Sequence, residues 1–254
     1  MKKRIPGLVS IVTPVYQAEK FLPATLAAVR AQTYTDWEWL LVDDASPDQS
    51  KALLNKAAAA DERLKVLTHE KNQGAAVARN TGLAAARGQY VAFVDSDDLW
   101  EPEKLARQVA FMQERELAFT YTNFSLISEA GETLKERVSL PKQLTYSGLL
   151  KNTAIACSTV VIDVSQLGDF QMPLVRKGQD TATWLMLMRE RGVTAYLLDE
   201  VLNHYRQVQG SVSSNKFKAL KRTWHTYRQL EGLSWPVAAY NFLCYAFNAL
   251  KRRL

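Results

Sequence analysis

The sequence predicts a doubly wound, mostly parallel α/β sheet with helices on both faces. Strand-like apolar runs alternate with segments of helical periodicity through residue 115, which is the pattern of repeated βα units. Two of those runs, residues 37–43 and 90–95, also end in acidic residues. Because ligands of such sheets bind beyond the carboxyl ends of the strands, the two acidic ends are expected to meet at one site.

Four βα units account for this first part. Each predicted strand is an apolar run, and each predicted helix repeats its apolar residues every three to four positions. The predicted strands span residues 8–13, 37–43, 64–69 and 90–95, and the predicted helices span residues 20–32, 47–60, 74–86 and 102–115.

After residue 116 the pattern becomes mixed. Strands are predicted at residues 118–126, 158–162 and 194–198, with a turn at residues 129–132. Residues 181–191 predict a helix that ends at Gly192, because glycine readily adopts the left-handed conformation that terminates helices.

Three carboxylates, Asp95, Asp97 and Asp98, follow the fourth predicted strand. They repel one another unless a cation lies between them, and hard oxygen ligands suit Mg²⁺ or Mn²⁺. Such ions commonly bind diphosphates, so the cluster favours a nucleotide-diphosphate site. The alternative is an ordinary turn, since Asp and Ser are frequent turn residues. A second acidic pair, Asp43 and Asp44, at the end of another strand favours the ligand site.

Composition predicts a folded intracellular protein. The chain has 254 residues, of which 47% are hydrophobic and 23% charged, enough for one large domain or a domain with an appendage. Cys157 and Cys244 are too few for a disulfide framework, and each is expected to be a buried thiol. The first residues lack the apolar core of a signal peptide, so no export is expected.

The C-terminal segment, residues 211–254, is strongly basic, with eight Lys and Arg residues against Glu231 alone. Residues 216–230 predict a basic amphipathic helix, which indicates an anionic partner such as phospholipid or nucleic acid. Residues 233–250 are uncharged but too polar for a good membrane span, and Asn241, Tyr245 and Asn248 share one helical face. This pattern suits a helix lying in the membrane interface. Packing on the body and a homodimer contact are the alternatives.

Four motifs together resemble the family 2 inverting glycosyltransferases with the GT-A fold, in particular bacterial enzymes of surface polysaccharide synthesis. The resemblance covers about residues 8–210, and the combination is far more specific than any single motif. The motifs are SIVTPVY at residues 10–16, VDDAS at 42–46, NQGAAVARN at 72–80 and FVDSDD at 93–98.

The resemblance implies a UDP-sugar donor and assigns a nucleotide pocket. Pro14 and Tyr16 would line the uracil pocket, and Asp44 would accept a hydrogen bond from the uracil N–H, while Asp43 shapes the turn. The alternative is that Asp43 and Asp44 cap the helix predicted from residue 47. Arg79 would meet the diphosphate, for which an arginine is well suited, or it is simply a surface helix residue.

The resemblance also implies a Mn²⁺ or Mg²⁺ site. Asp97 would contact the sugar nucleotide and Asp98 would bind the metal that bridges the diphosphate. Asp95 is assigned as a second metal residue, although the sequence leaves open whether Asp95 or Asp97 is the nearer partner of Asp98. The metal would offset the charge that builds on the leaving group.

Asp180 is the predicted catalytic base, because the family places an acidic base before an aromatic-containing helix. Gln179 precedes it and cannot substitute as a base. A helix N-cap would also favour Asp at this position. Arg206 and Ser211, in a segment resembling the Tyr-Arg-x-x-x-x-Ser motif of the family, would contact the diphosphate. The histidines, His69 among them, are expected to be structural, since no second His or Cys stands at metal-ligand spacing.

These predictions combine into a metal-dependent inverting hexosyltransferase that acts on a hydroxyl of a glycan or lipid-linked glycan. Single transfer is expected because the Gln-x-x-Arg-Trp motif of processive members is absent from the sequence. The predicted domains are residues 1–210, divided into a nucleotide half (1–115) and an acceptor half (116–210), and a tail (211–254). The expected location is the cytoplasm, at the inner face of the membrane through the tail.

Two other functions compete with this interpretation. A sugar-nucleotide nucleotidyltransferase shares the α/β layout, but no glycine-rich loop follows the first strand. A non-catalytic nucleotide- or nucleic-acid-binding module would explain the basic tail. Acidic strand ends would repel a nucleic-acid backbone, however, so no nucleic acid is expected as a partner.

Overall fold

The computed structural model describes residues 3–175, 178–208 and 216–251. The strands are β1 (Ile5–Val15), β2 (Trp37–Asp43), β3 (Leu64–Thr68), β4 (Gly88–Phe93), β5 (Leu99–Trp100), β6 (Phe119–Ile127), β7 (Thr133–Lys135), β8 (Gln143–Leu144), β9 (Val161–Asp163) and β10 (Ala195–Arg206). The α-helices are α1 (Leu22–Arg30), α2 (Ser50–Ala60), α3 (Ala75–Ala85), α4 (Lys104–Glu114), α5 (Tyr146–Lys151), α6 (Val164–Leu167), α7 (Gln179–Arg191), α8 (Lys216–His225) and α9 (Trp235–Lys251). A 3-10 turn spans Cys157–Thr159 and a π-helical turn spans Thr226–Leu230.

Within the described residues, ten strands form one mixed sheet in the order β3-β2-β1-β4-β9-β6-β10-β5, with β7 on β6 and β8 on β10. Strands β1 to β4 run parallel, while β9 runs antiparallel between β4 and β6. The predicted α/β fold class, with a mostly parallel sheet flanked by helices, is confirmed.

Two apolar cores cover the two faces of the sheet, because successive side chains of a strand point to opposite sides. On β1, Val9 and Ile11 belong to the core under α1, α2 and α4, while Val12 belongs to the core under α3, α5 and α7. Both faces are covered, which explains why β2 is buried throughout its length.

Trp184 fixes helix α7 against the sheet. Its ring is fully buried and lies 5.8 Å from the ring of Phe93 and 5.3 Å from the ring of Phe119, measured between centroids. Edge and tilted contacts of this kind contribute about 0.5–1.5 kcal/mol beyond the burial itself. Since Trp184 stands one helical turn after Asp180, this packing also positions the predicted base.

The predicted βα units agree closely with the structure, whereas the second half differs in detail. The predicted strand at 158–162 begins as the 3-10 turn Cys157–Thr159 and becomes β9 only at Val161. The strand predicted at 194–198 extends to Arg206, because irregular pairing with β6 around Leu198 and Val201 lets the strand continue through a polar stretch. One continuous sheet therefore joins the two predicted halves of the catalytic body.

The tail packs on the body through one face of its helices. Tyr227 is fully buried, and its hydroxyl donates to the Leu150 carbonyl. The Asn248 amide donates to the Lys151 carbonyl at 3.0 Å. The predicted polar face of α9 is therefore the face that contacts protein.

The opposite face of α9 is apolar and exposed. Leu243 and Phe247 are each 69% exposed, and Tyr240 and Leu250 lie on the same side. Within the described part of the chain, no helix is long and apolar enough to cross a bilayer. The predicted domain boundary at residues 210 and 211, and the predicted basic residues Arg252 and Arg253, lie outside the described residues.

Candidate functional site

The site lies at the carboxyl ends of three neighbouring parallel strands. Strand β1 leads to Tyr16, β2 leads to Asp44, and β4 leads to the segment of residues 95–98. Because these strands are adjacent in the order β2-β1-β4, their ends share one edge of the sheet. The two acidic strand ends that the sequence predicted to converge are brought together here.

Asp44 anchors the start of helix α3. Its carboxylate accepts hydrogen bonds from the backbone N–H of Gln73 at 2.9 Å and of Gly74 at 2.7 Å, and it bonds to Nδ1 of His69 at 2.7 Å. The other ring nitrogen of His69 bonds to the Thr81 hydroxyl at 2.9 Å. Asp44 therefore ties the strand end to the loop and helix that carry Arg79.

Asp43 is also buried, but it is bonded differently. Its Oδ1 accepts a hydrogen bond from the backbone N–H of Ser46 at 3.3 Å, in agreement with the predicted turn-shaping role. Its Oδ2 makes no hydrogen bond with any described residue. Asp44 as the uracil ligand stays a prediction, and the structure adds Asp43 as a carboxylate with a spare acceptor.

Pro14 and Tyr16 lie where the nucleotide pocket was predicted. Pro14 is half-buried near the end of β1, and the Tyr16 side chain is 46% exposed. Gln17, which follows, has a φ of 50°, and its backbone N–H donates to the Ser46 hydroxyl at 3.3 Å. The turn thus leaves the Tyr16 ring open at the edge of the site, available to a flat ligand.

Arg79 is buried at the centre of the site rather than on the helix surface, which excludes the alternative of a surface arginine. It is 5% exposed, and its Nη2 donates to Oδ1 of Asp95 at 2.5 Å. Its Nε and Nη1 are buried and make no hydrogen bond with the described residues. The guanidinium therefore keeps donors that a diphosphate or another oxyanion could use.

The carboxyl groups of Asp97 and Asp98 both have raised pKa values. Burial and the nearby Asp95 raise the pKa of Asp97 to about 6. Burial and the charges of Asp97 and Asp95 raise the pKa of Asp98 well above its usual range. The segment is bound to the turn before β9, since the Asp95 N–H donates to the Ser158 hydroxyl at 3.0 Å.

A divalent cation suits this arrangement. Oδ2 of Asp98 is buried and unpaired among the described residues, and its excess negative charge would be neutralised by a metal. No group of three or more His, Cys, Asp or Glu side chains in the described residues forms a complete protein metal site. Mg²⁺ commonly takes only one or two carboxylates and completes its shell with water and phosphate oxygens. The donors present therefore fit a metal that binds together with a diphosphate.

Arg206 lies in the site and holds the acidic segment in position through hydrogen bonds. Its backbone N–H donates to Oδ1 of Asp98 at 3.0 Å, and its Nε donates to the Asp97 carbonyl at 2.9 Å. Its Nη1 donates to the carbonyls of Ser128 and Glu129. Since the guanidinium is committed to these carbonyls, diphosphate contact by Arg206 stays a prediction. Its predicted companion Ser211 lies outside the described residues.

Asp180 stands in the first turn of α7, where burial raises its pKa. The charge of Arg79 acts to lower that pKa and the charge of Asp95 acts to raise it, so Asp180 shares the electrostatic environment of the acidic segment. Gly178 occupies the N-cap position, so Asp180 lies inside the first turn of α7 and is not the N-cap residue. A carboxylate with a raised pKa is a better proton acceptor than an ordinary aspartate.

Two supporting residues, Ser158 and Asn80, escaped the sequence analysis, and a third, His69, was expected only to be structural. Ser158 joins the Asp95 backbone to the sheet, His69 holds Asp44, and Asn80 exchanges two hydrogen bonds with the Met172 backbone, at 2.9 and 2.7 Å. Asn80 ends the NQGAAVARN motif, which was the available signal for it. His69 was expected to be structural, and it is so in the sense that it orients a site carboxylate.

A sequence model of glycosyl transferase family 2 matches residues 10–161, more than half of the chain. That range contains β1 to β4, both acidic strand ends and the whole of α3. The match therefore covers the nucleotide side of the site described above.

Two relatives are similar over most of their lengths. The Bacillus subtilis protein TuaG, named as a glycosyltransferase of teichuronic acid biosynthesis, is 47% identical over 97% of this chain and 98% of its own. The Escherichia coli protein WfgD, named as a UDP-Glc:α-D-GlcNAc-diphosphoundecaprenol β-1,3-glucosyltransferase, is 40% identical over 85% of this chain and 84% of its own.

Among solved structures, Staphylococcus aureus TarS (residues 1–349) in complex with UDP-GlcNAc has a similar fold. The TM-score is 0.69 at 21% sequence identity, over 99% of this chain and 72% of that one. At this identity the likeness concerns the fold.

Proposed function

Because the chain belongs to glycosyl transferase family 2, we propose that it transfers a single hexose or hexose derivative from a UDP-sugar to a hydroxyl of a glycan or lipid-linked glycan, with inversion at the anomeric carbon. The glycosyltransferase activity itself follows from the family and from the relatives' names. The choice of UDP as the donor nucleotide is supported by WfgD, whose name specifies UDP-Glc. A role in surface polysaccharide synthesis is supported by the name of TuaG.

One observation supports the proposal most directly: the half-buried Asp180 lies near enough to the buried Arg79 for the arginine charge to act on its pKa, and Arg79 also bonds to the acidic segment after β4. Arg79 bonds to Asp95 and also acts on the pKa of Asp97 and Asp180. A nucleotide diphosphate at residues 95–98 would thus lie within reach of the base. Proton acceptor and donor site would then lie side by side, as direct displacement requires.

In this mechanism Asp180 accepts the proton of the acceptor hydroxyl as its oxygen attacks the anomeric carbon. The diphosphate leaves on the opposite face of the sugar, which inverts the configuration. Arg79, with two buried donors not engaged by described residues, would bind the diphosphate oxygens. Its ion pair with Asp95 holds the guanidinium in place for that contact.

Asp98, with Asp95 or Asp97 beside it, would hold Mn²⁺ or Mg²⁺. When bound, the metal supplies positive charge that stabilises the diphosphate leaving group. Asp95 is already paired with Arg79 through Oδ1, which favours Asp97 as the nearer partner of Asp98. The backbone N–H of Arg206 orients the Asp98 carboxylate toward this role.

The uracil would bind between Pro14, the open ring of Tyr16 and the carboxylate of Asp44. A carboxylate accepts a hydrogen bond from the uracil ring N–H, which a cytosine ring lacks at that position. The exposed Tyr16 ring supplies an apolar face for stacking.

The exposed apolar stripe of α9, formed by Tyr240, Leu243, Phe247 and Leu250, would contact the membrane surface. In the sequence, Lys251, Arg252 and Arg253 follow this stripe directly, so cationic residues adjoin it along the chain. Apolar side chains flanked by cations are typical of helices that lie in the interface of anionic membranes. The alternative to membrane contact is that the same stripe forms a homodimer contact.

A screen of UDP-sugars for binding and slow donor hydrolysis tests the proposed function without an acceptor. We expect UDP to stabilise the protein thermally in the presence of Mn²⁺ and to stabilise it little without the metal. ATP should give no comparable stabilisation. One UDP-sugar should be hydrolysed faster than the others. Equal stabilisation by UDP and ATP would contradict the donor assignment.

A further inference from the structure

A cavity of about 210 Å³ lies between the first turn of α7 and the tail helices. Its wall contains the predicted base and also side chains of α8, the π-helical turn and α9. The lining residues include Thr153, Asp180, Thr181, Arg222, Thr226 and Tyr245. The tail therefore completes a cavity at the catalytic carboxylate, in addition to its packing role.

We propose that Arg222 binds the phosphate of an acceptor sugar that lies in this cavity and is phosphorylated on its anomeric carbon, which is the acceptor class in the name of WfgD. The inference rests on the proposed function, because it concerns the second substrate of the same reaction. It adds a phosphate-binding residue contributed by the tail.

The wall chemistry fits a sugar. Four threonines line the cavity, and their hydroxyls can donate and accept hydrogen bonds, as sugar hydroxyls do, while Tyr245 adds an aromatic ring to the wall. The volume is smaller than the roughly 300–1,000 Å³ typical of pockets for drug-sized ligands, which suits a single sugar residue.

Arg222, which belongs to α8, lies against the start of α7 and next to the predicted base. A Cβ placed on Gly178 would come within 3.0 Å of Cδ and 3.4 Å of Cγ of Arg222, so the arginine stem crosses directly over this glycine. Gly178 is two residues before Asp180, and the charge of Arg222 acts on Asp180. A cation and the catalytic carboxylate thus line the same small cavity.

This pairing matches the two ends of an anomerically phosphorylated sugar. One ring hydroxyl must meet the base, while the anomeric phosphate lies across the ring and needs a cation. Arginine binds phosphate oxygens through paired N–H donors, which also fixes the orientation of the ring. The binding of the phosphate would therefore select which hydroxyl faces Asp180.

The course of α9 provides an exit for a lipid attached to that phosphate. Tyr245 faces the cavity, whereas Leu243 and Phe247 on the same helix point away from the body and are each 69% exposed. A lipid chain leaving the cavity would meet this apolar face.

Two synthetic probes test the assignment by direct calorimetric binding to the full chain. The first is N-acetylglucosamine α-linked through a diphosphate to a short alkyl chain, and the second is the corresponding alkyl glycoside without phosphate. We expect Arg222→Gln to weaken the diphosphate probe about tenfold or more while changing the glycoside much less. Arg222→Lys, which keeps the charge but loses the paired donors, should lose less than Arg222→Gln.

Lys221→Gln is the matched control, because it removes the same charge from the neighbouring exposed residue. It should bind both probes as the unchanged chain does. Equal weakening of both probes by Arg222→Gln would show that Arg222 only shapes the cavity, and unchanged binding would also overturn the proposal. UDP binding is measured separately and reports on the proposed function. If the chain binds the diphosphate probe but not UDP, the proposed function is contradicted while the Arg222 site stands.

Discussion

Nη2 of Arg79 donates to Oδ1 of Asp95 at 2.5 Å, which joins helix α3 to the acidic segment after β4. Arg79 is 5% exposed and also acts electrostatically on Asp97 and Asp180. Arg79 is thus a buried cation among carboxylates that come from different parts of the chain. The first prediction concerns the loss of this cation.

Arg79→Met should destabilise the protein by about 1–3 kcal/mol, because the partly buried carboxylate of Asp95 loses its charged hydrogen-bond partner. Urea denaturation at neutral pH measures the change. Arg107→Met is the control, since Arg107 forms an exposed pair with Glu200 whose loss should change the stability little. Similar losses for both variants would show that Arg79 is not central to the site.

Asp98→Asn should abolish the metal dependence of UDP binding. The amide keeps an oxygen to accept from the Arg206 N–H but lacks the charge that binds the cation. Titration calorimetry with UDP, with and without Mn²⁺, gives the result. Asp169→Asn, an exposed carboxylate far along the chain, is the control. Parallel measurements on Asp95→Asn and Asp97→Asn decide which carboxylate assists Asp98, and a normal response to Mn²⁺ in Asp98→Asn would refute the metal assignment.

The acidic limb of the kcat/KM profile should lie above the pH expected for an ordinary aspartate. Burial raises the pKa of Asp180, and the base must be deprotonated to accept a proton, so activity falls as pH drops through this raised value. Removing Arg222, whose charge acts to lower the pKa, should move the limb to still higher pH. Asp180→Asn should keep UDP binding and lose transfer, and full transfer by this variant would exclude Asp180 as the base.

Asp44→Asn should weaken UDP binding and also lower stability by about 1–3 kcal/mol. The carboxylate accepts from the N–H groups of Gln73 and Gly74, and an amide in its place presents a donor to one of them. Asp43→Asn is the matched variant, because its Oδ2 makes no hydrogen bond with described residues. If only Asp43→Asn loses UDP binding, the uracil contact has to be assigned to Asp43 and not to Asp44.

The double substitution Leu243→Ser and Phe247→Ser should reduce co-sedimentation with anionic vesicles without lowering stability, since both side chains are exposed. Truncating the tail is a poorer test, because Tyr227 is buried against the body and its removal would disturb the fold. Leu134→Ser, a change at another exposed leucine, serves as the control. Unchanged vesicle binding together with a smaller mass in solution would favour the homodimer contact.

The fold of the first half could be predicted because its elements follow simple rules. Strand β2 was predicted at its observed bounds, since a strand buried on both faces is a continuous apolar run that stops at a charged residue. Helix α7 ended at Gly192 as predicted, with that glycine at a φ of 65°. The convergence of Asp44 and Asp98 followed from parallel topology alone.

The remaining features depend on contacts between distant residues. No local pattern indicates that the Asp98 carboxylate accepts from the Arg206 backbone, or that Ser158 holds the Asp95 backbone. Arg222 lines the cavity because α8 folds back over Gly178. No pattern in the sequence indicates this contact between α8 and the start of α7. The local pattern predicted which residue types were present, and tertiary packing decided their partners.

The carboxylate of Glu231, between the π-helical turn and α9, accepts hydrogen bonds from the Tyr146 hydroxyl and from the Arg189 guanidinium. Arg189 lies on α7, the helix whose first turn carries Asp180. A force applied to the tail is therefore transmitted to the helix that positions the base. Glu231 thus couples the tail to α7 through two hydrogen bonds, so a change that displaces the tail should disturb the start of α7 more than it disturbs the ends of β1, β2 and β4.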